Sequence, residues 1–378
     1  MKNLIYLANV RLPSEKAHGV QITHTSEEFA KQIGRAGGSF ELIFAAREKT
    51  IAEDLFEYYR LSHTYPIKKI ETVHLRNPQQ LFYFIQRIHF ALKSLWYVSK
   101  KYDKDTYIYS RDEFLLFIYS FRFKNLVFEA HAVKTNFFFR FILKKLKRIV
   151  TISQGLKDVY TEYIPADNIH VAHDAVEVGK FKIEIDKTTE RVKSGLPTDK
   201  RIVTYIGSIG LYGWKGVDTF LESSLLLPEY TFLIVGGKEK DIALLKERYQ
   251  NTNTIFAGHQ SPERIPVYQK ISDILVIPNK SGFPESELYT SPMKLFEYMA
   301  SSVPIISSDL PSMREVLNES IATFFTPNDG KDLSLKIQTV FTDYAAALAK
   351  AERAAAEVEK YTYKERVAAI LRHISVPS

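Results

Sequence analysis

Short β-branched and aromatic runs recur along the chain, separated by segments whose apolar residues fall at helical spacing. In the first half the runs are NLIYLAN (3–9), FELIFAA (40–46), TYIYS (106–110), NLVFEA (125–130), RIVTIS (148–153) and NIHVAH (168–173). In the second they are RIVTYIG (201–207), YTFLIVG (230–236), NTIFAG (253–258), DILVIP (273–278), VPIISS (303–308) and ATFFT (322–326). Helical patterns such as THTSEEFAKQIG (23–34) and KGVDTFLESSLLL (215–227) lie between them. Strand–helix alternation of this kind predicts an α/β fold with a parallel sheet in each half and helices on both faces. The polar stretch EIDKTTERVKSGLPTDK (184–200), broken by Gly-Leu-Pro, reads as the connection between a domain at 1–183 and one at 201–360. The Ala-rich segment 343–360 reads as a packing or solvent-facing helix.

Composition narrows the class. The 378 residues exceed what one core usually organises, which agrees with two domains. No run approaches the roughly 18 apolar residues of a membrane span, and the first apolar run is too short for a signal peptide. With no cysteine, disulfides, thiolate metal sites and cysteine nucleophiles are excluded, and a cytoplasmic protein is the simplest fit. The net charge of +7 is uneven: residues 1–180 hold 27 Lys and Arg against 19 Asp and Glu, and residues 181–378 hold 24 against 25. The basic excess therefore sits in the first half and points to an anionic partner there.

Ligands of open parallel sheets bind beyond the carboxyl ends of the strands, so four loops matter most. Gly19, in EKAHGVQITHTSEEFA, stands ahead of a helix, where backbone can approach a ligand closely. A plain turn glycine is the competing reading. His131 ends the strand NLVFEA and is either a donor, acid or base, or a packing histidine. Arg111 and Asp112 end TYIYS and read as a structural ion pair. The loop YIGSIGLYGWKG carries Gly207, Ser208, Gly210 and Gly213 before Lys215-Gly216, a natural diphosphate clamp at a helix start. It matches neither a Walker loop nor a G-x-G-x-x-G fingerprint. The fourth loop leads into YTSPMKLFEYMA (289–300), where Ser291 suits an N-cap and Pro292 the first helical turn. Lys294 and Glu297 share a face there, beside Met293, and are either a surface salt bridge or part of a ligand site.

Taken in order, GSIGLYGWKGVDTF, FLIVGG, TIFAGH, DILVIPN and SPMKLFEYMASSVPIISSDLPSMREVL resemble the nucleotide-sugar half of family 4 glycosyltransferases. PSEKAHGVQI, RIVTISQGLKDVY and IHVAHDAVEVGKF are similar to that family's first half, so the likeness spans nearly the whole chain. The resemblance implies a GT-B architecture: two Rossmann-like domains facing across a cleft, the nucleotide-diphosphate sugar on the second and the acceptor on the first. It implies retaining transfer with no metal and no cofactor. Lys215, with Gly216, Gly207 and Ser208, would hold the donor diphosphate, and Glu297 would accept from the ribose hydroxyls. Gly19 would approach the transferred sugar and His131 would contact it. The helix of Ser291, Pro292, Met293 and Lys294 would turn its N–H groups to the phosphates, and the last helix (361–378) would cross back onto the first domain.

Two departures from the family shape the expectation. The arginine that usually precedes the Lys-Gly pair is replaced by Ser208, so Lys294 is expected to supply the missing cation. The usual glutamate eight residues before Glu297 is Tyr289, leaving Glu285 or, preferred here, Glu287 to meet the sugar hydroxyls. A glycan or lipid-linked acceptor is expected. The stretches 83–102 and 137–150 mix aromatics with Lys and Arg as an interfacial helix does, although solvated lysines over a packed face would look the same. An anionic membrane surface is the partner they fit. Alternatives are a sugar-nucleotide epimerase or an inactive partner of another transferase. Nucleic-acid binding rests on charge alone and ranks last.

Overall fold

The computed structural model describes residues 3–47, 51–72, 80–210, 213–250 and 253–375. The chain forms two compact units. The first comprises residues 1–173 and 363–378, and the second Asp174–Thr362.

In the first unit seven parallel strands run Asn3–Ala8 (β1), Ser39–Ala46 (β2), Ile67–Glu71 (β3), Tyr107–Ser110 (β4), Asn125–Ala130 (β5), Leu146–Thr151 (β6) and Ile169–Val171 (β7). Their spatial order is β3-β2-β1-β4-β5-β6-β7. β1, β4 and β5 are the apolar centre, so Leu4, Tyr6, Tyr109 and Val127 are fully buried between helical layers. β3, IKKIE, is absent from the apolar runs because it is an edge strand on which Ile70 alone is buried. The C-terminal helix Tyr363–Ser375 packs against the helix Ala17–Arg35, burying Val367, Ile370 and Ile374.

In the second unit six parallel strands run Ile202–Ile206 (β8), Thr231–Val235 (β9), Thr254–Gly258 (β10), Ile274–Ile277 (β11), Ile305–Ser308 (β12) and Thr323–Phe325 (β13). Their order is β10-β9-β8-β11-β12-β13, so the chain reverses direction across the sheet at β8/β11. The Ala-rich helix Tyr344–Glu357 buries Ala347, Ala351 and Ala354 and packs on the helix Met293–Ser301.

The division of the chain differs from the expected one. Residues 184–200 are not a bare connection: Lys187–Lys193 is a helix of the second unit. The reason is a buried carboxylate just before β11. Asp273 accepts from Lys187 Nζ, Arg191 Nη2 and the Ile202 N–H, each at 2.7 Å. Arg191, itself 6% exposed, also donates to the Ile271 carbonyl. Burial alone would raise the Asp273 pKa, but Lys187, the Ile202 N–H and Arg191 together hold it below the ordinary carboxylate range. A carboxylate with a depressed folded-state pKa contributes stability above about pH 4, and loses it as pH falls through the folded value. Asp273→Ala strands two cations, one of them deeply buried, and is expected to lower unfolding stability at pH 7 by about 3–5 kcal/mol. Urea denaturation measures this, and a loss under about 1 kcal/mol would place the anchor elsewhere.

Candidate functional site

Most candidate residues of the second unit converge at the carboxyl end of β8. Beyond Thr204 the ladder with β11 stops, which leaves the Ile206 N–H without a strand partner on that side. Tyr298 supplies one: its hydroxyl oxygen accepts from the Ile206 N–H at 2.9 Å. That bond, with buried Leu295, Phe296 and Met299, pins the helix Met293–Ser301 against the strand. Lys294, one turn earlier, is thereby laid over the β8 end. Its Nζ lies 4.2 Å from the Tyr205 ring centroid, and a Cβ placed on Gly207 would sit 3.4 Å from it.

The Lys294 Nζ is buried and has no hydrogen-bond or ion-pair partner among the described residues. Burial, reinforced by Lys215, holds its pKa well below the ordinary lysine value; Glu297 opposes this without compensating. Glu297 lies on the same helix face and makes no hydrogen bond among the described residues. Burial pushes its carboxyl up to about 7, against the pull of Lys294 and Lys180. Of the two readings of this pair, the surface salt bridge is therefore absent. Instead a buried ammonium and a half-buried acid stand on one helix face without a hydrogen bond among the described residues, an arrangement able to receive an anion and a hydroxyl group.

Lys215 reaches the same corner. Its Nζ donates to Ser208 Oγ at 2.6 Å, and burial lowers its pKa. Ser208 is held in turn, its carbonyl accepting from the Tyr205 hydroxyl at 3.0 Å. Gly216 ends the turn after Lys215 at φ +67°, and a Cβ there would lie 1.6 Å from the Pro278 carbonyl oxygen. Only glycine lets the chain pass so close to the end of β11. The helix Val217–Leu225 then starts with no side-chain cap. Leu211 and Tyr212 of this loop lie outside the described residues.

Several expectations need correction. Ser291 is not the N-cap: Pro292 holds that position, and the Ser291 hydroxyl instead accepts from the Asp174 N–H at 3.0 Å. Met293 and Lys294 occupy the first turn, where N–H groups have no intrahelical acceptor. Glu287 is occupied locally, accepting from the Gly282 N–H at 2.7 Å, while Glu285 is exposed.

Gly19 and His131 belong to the first unit. Gly19 lies inside the helix Ala17–Arg35 rather than ahead of it. Packing accounts for it: a Cβ would fall 2.2 Å from the Tyr59 hydroxyl, which both accepts from the Ser14 N–H and donates to the Ser14 carbonyl at 2.8 Å. His131 follows β5, with Nε2 3.1 Å from Glu129 Oε1. Burial and Arg111 hold its pKa at about 4 against the pull of Glu129, so the imidazole is neutral. Arg111 does not pair with Asp112. It donates to the fully buried Glu129 at 2.9 Å, while Asp112 takes Arg87 and caps the helix Glu113–Tyr119. Glu129 and Tyr205 escaped sequence reading because each sits within an apolar strand run, where alternation assigns a side chain to the core.

Among the described residues no group of three or more His, Asp or Glu side chains is placed to hold a metal ion. Replacing an unpartnered buried charge by an apolar chain of similar length relieves its desolvation. Lys294→Met is accordingly expected to make the ligand-free protein more stable, by about 0.5–2 kcal/mol. The urea midpoint at pH 7 measures this; an unchanged or lower midpoint would mean that the ammonium is already satisfied.

Comparison with known proteins agrees with this geometry. Residues 186–360, nearly all of the second unit, match the family model described as glycosyl transferases group 1. A Bacillus subtilis protein named as a teichuronic acid biosynthesis glycosyltransferase, TuaH, is 26% identical over 148 residues, 39% of this chain and 36% of its own length. The alpha-galactosylglucosyldiacylglycerol synthase of Streptococcus pneumoniae is 22% identical over 246 residues, 57% of this chain and 63% of its own. The chain thus spans between a third and two thirds of these relatives. Anabaena HepE, solved with UDP and glucose, superposes with a TM-score of 0.74 at 16% identity, over 99% of this chain and 100% of its own. Sucrose-phosphate synthase of Thermosynechococcus elongatus gives 0.76 at 16% identity, over 98% of each chain. The chain has the GT-B fold.

Proposed function

We propose that the protein is a retaining, metal-independent glycosyltransferase of the family 4 type. It moves a sugar from a nucleotide-diphosphate sugar to a glycan or lipid-linked acceptor. The observation that carries this reading is the buried, partnerless ammonium of Lys294 at the end of β8, one helical turn from the unpaired acid of Glu297.

In the transfer the bond between the anomeric carbon and the phosphate oxygen breaks. Its electron pair leaves with the diphosphate, and the acceptor hydroxyl forms the new glycosidic bond as its proton passes to the departing phosphate oxygen. Negative charge grows on the leaving group while the sugar gains positive character, so fixed cations at the diphosphate favour the transition state. Lys294 and Lys215 fill that role, helped by the first-turn N–H groups of Met293 and Lys294. Gly207, Ser208 and Gly216 shape the backbone around the phosphates, and Glu297 accepts from the ribose hydroxyls. His131, neutral, hydrogen-bonds the transferred sugar. Tyr289 takes the place of a sugar-contacting glutamate, and with Glu287 tied to Gly282, the sugar preference differs from that of family members carrying the glutamate.

A panel of UDP-, GDP- and ADP-sugars is expected to contain one that raises the melting temperature, with turnover unaffected by EDTA. Lys294→Met and Lys215→Ala should each weaken that donor tenfold or more, in line with about 1.5–3 kcal/mol for a charged hydrogen bond. Glu297 titrates near pH 7, so donor affinity should rise between pH 6 and 8 as the carboxylate forms. Glu297→Gln should flatten that profile. No stabilisation by any sugar nucleotide would remove the reading.

The first unit supports a cytoplasmic protein bound peripherally to an anionic membrane. No described helix is long and apolar enough to cross a membrane. Between Phe114 and Lys157 Glu129 is the only acid in the sequence, against nine Lys and Arg, and it is buried. Over the same stretch Phe121 and Phe137 are 65% and 69% exposed. Lys145 lies 5.0 and 4.8 Å from the Phe121 and Phe141 rings. Aromatic side chains rimmed by lysines suit the headgroup boundary. Co-sedimentation with phosphatidylglycerol vesicles at low salt, lost in a Phe121→Ser/Phe137→Ser variant and with neutral lipid, is the expected result. Absence of binding to anionic vesicles would exclude it.

A further inference from the structure

Glu129 is the most heavily engaged carboxylate of the first unit, and nothing in the transfer just described uses it. It is fully buried at the penultimate position of β5. Arg111 donates to Oε2 at 2.9 Å, the Tyr6 hydroxyl to the same oxygen at 3.2 Å, and Arg366 Nη2 to Oε1 at 2.5 Å. His131 Nε2 lies 3.1 Å from Oε1, in contact with it but outside hydrogen-bond alignment. Arg366 comes from the C-terminal helix, 235 residues after His131, and its side chain is 2% exposed. Its Nε also donates to the His173 carbonyl at 2.8 Å, so both ends of the guanidinium are fixed.

We propose that Arg366 is a positioning residue for His131: it clamps Glu129, and the clamped carboxylate sets the orientation of the imidazole. Residues i and i+2 of a strand point to the same face, so Glu129 and His131 are neighbours by construction. Arg111 forks the carboxylate, Nε on Oε2 and Nη2 3.5 Å from Oε1, and Arg366 holds Oε1 from another side, so the group beside the ring is restricted in rotation. The charge balance matters as well. Arg111 and Arg366 place two cations around one anion, and Arg111 also depresses His18 on the helix Ala17–Arg35. The charged groups acting on His131 are Arg111, Glu129 and Arg366; the two arginines disfavour its protonation and Glu129 favours it.

The proposal depends on the transferase reading only in its kinetic part, because orientation and protonation of His131 can be read in the ligand-free protein. The test is ¹⁵N NMR of the histidine side chains in the full chain, with His131 assigned by loss of its signal in His131→Gln. In the native protein His131 should remain neutral from pH 5 to 8. Arg366→Met removes one opposing charge, so the titration midpoint should move up into that window. Arg366→Lys, which retains the charge, should restore the native behaviour. Val367→Ala weakens docking of the same helix without touching charge, and should leave the His131 titration unmoved. Where Arg366→Met does not fold, Arg366→Gln, which keeps a donor for Glu129, gives the same readout. A His131 midpoint unchanged without Arg366, or shifted equally by Val367→Ala, would overturn the proposal. In turnover, Arg366→Met should lower kcat with donor KM unchanged. If the native protein turns over no sugar nucleotide, the transferase reading fails while the titration still decides the role of Arg366.

Discussion

An ammonium group taken from water without a counter-ion is destabilising by several kcal/mol, and a fold retains one only where something else compensates. In the second unit Lys294 is such a group. The features that place it are specific: the Tyr298 hydroxyl on the Ile206 N–H, the Tyr205 ring beneath the side chain, and Gly207 leaving room above it. Each would be unnecessary if Lys294 were a surface lysine. Together they hold a cation where the parallel sheet already directs its strand ends and helix starts, so that an anion arriving there meets oriented charge rather than a reorganising solvent.

The first unit treats charge in the opposite way. Glu129 is as deeply buried as any residue in the sheet, but it is surrounded by donors from β1, the end of β4 and the C-terminal helix. A carboxylate held by three donors fixes geometry rather than waiting for a ligand. The two units thus divide the work: an uncompensated charge that binds, and an overcompensated one that holds a neutral imidazole in place. Gly19, despite its position after β1, is crowded by both the Tyr59 hydroxyl and the Ser14 carbonyl, a packing requirement for glycine.

Much of the fold was legible in the sequence, because buried parallel strands are continuous apolar runs and twelve of them stand out between helical segments. The missing strand, Ile67–Glu71, lies at a sheet edge where one face needs no apolar residues. The unit boundary was misread because 184–200 is polar, and polarity cannot reveal that Lys187 and Arg191 are tied to a carboxylate more than 80 residues away. Of the candidate site, Lys215, Lys294 and Glu297 were visible as charges set in apolar or glycine-rich surroundings. Their state was not: i and i+3 spacing fits a salt bridge as well as a ligand site, and the burial of Lys294 without a partner is what separates the two. The N-cap reading of Ser291 failed for a related reason, since its backbone partner, Asp174, is fixed by loop geometry that spacing does not encode. Arg366 carried no signal at all, because its meaning comes from the C-terminal helix packing on the first unit.

The central claim is that Lys294 is held without a partner, beside Lys215, so that the two can bind a diphosphate. A crystal structure with the sugar nucleotide that stabilises the protein tests it most directly. The account predicts diphosphate oxygens within hydrogen-bond distance of both Lys294 Nζ and Lys215 Nζ, with the ribose hydroxyls on Glu297. A nucleotide bound elsewhere, or at the β8 end with the Lys294 ammonium still unpartnered, would contradict it.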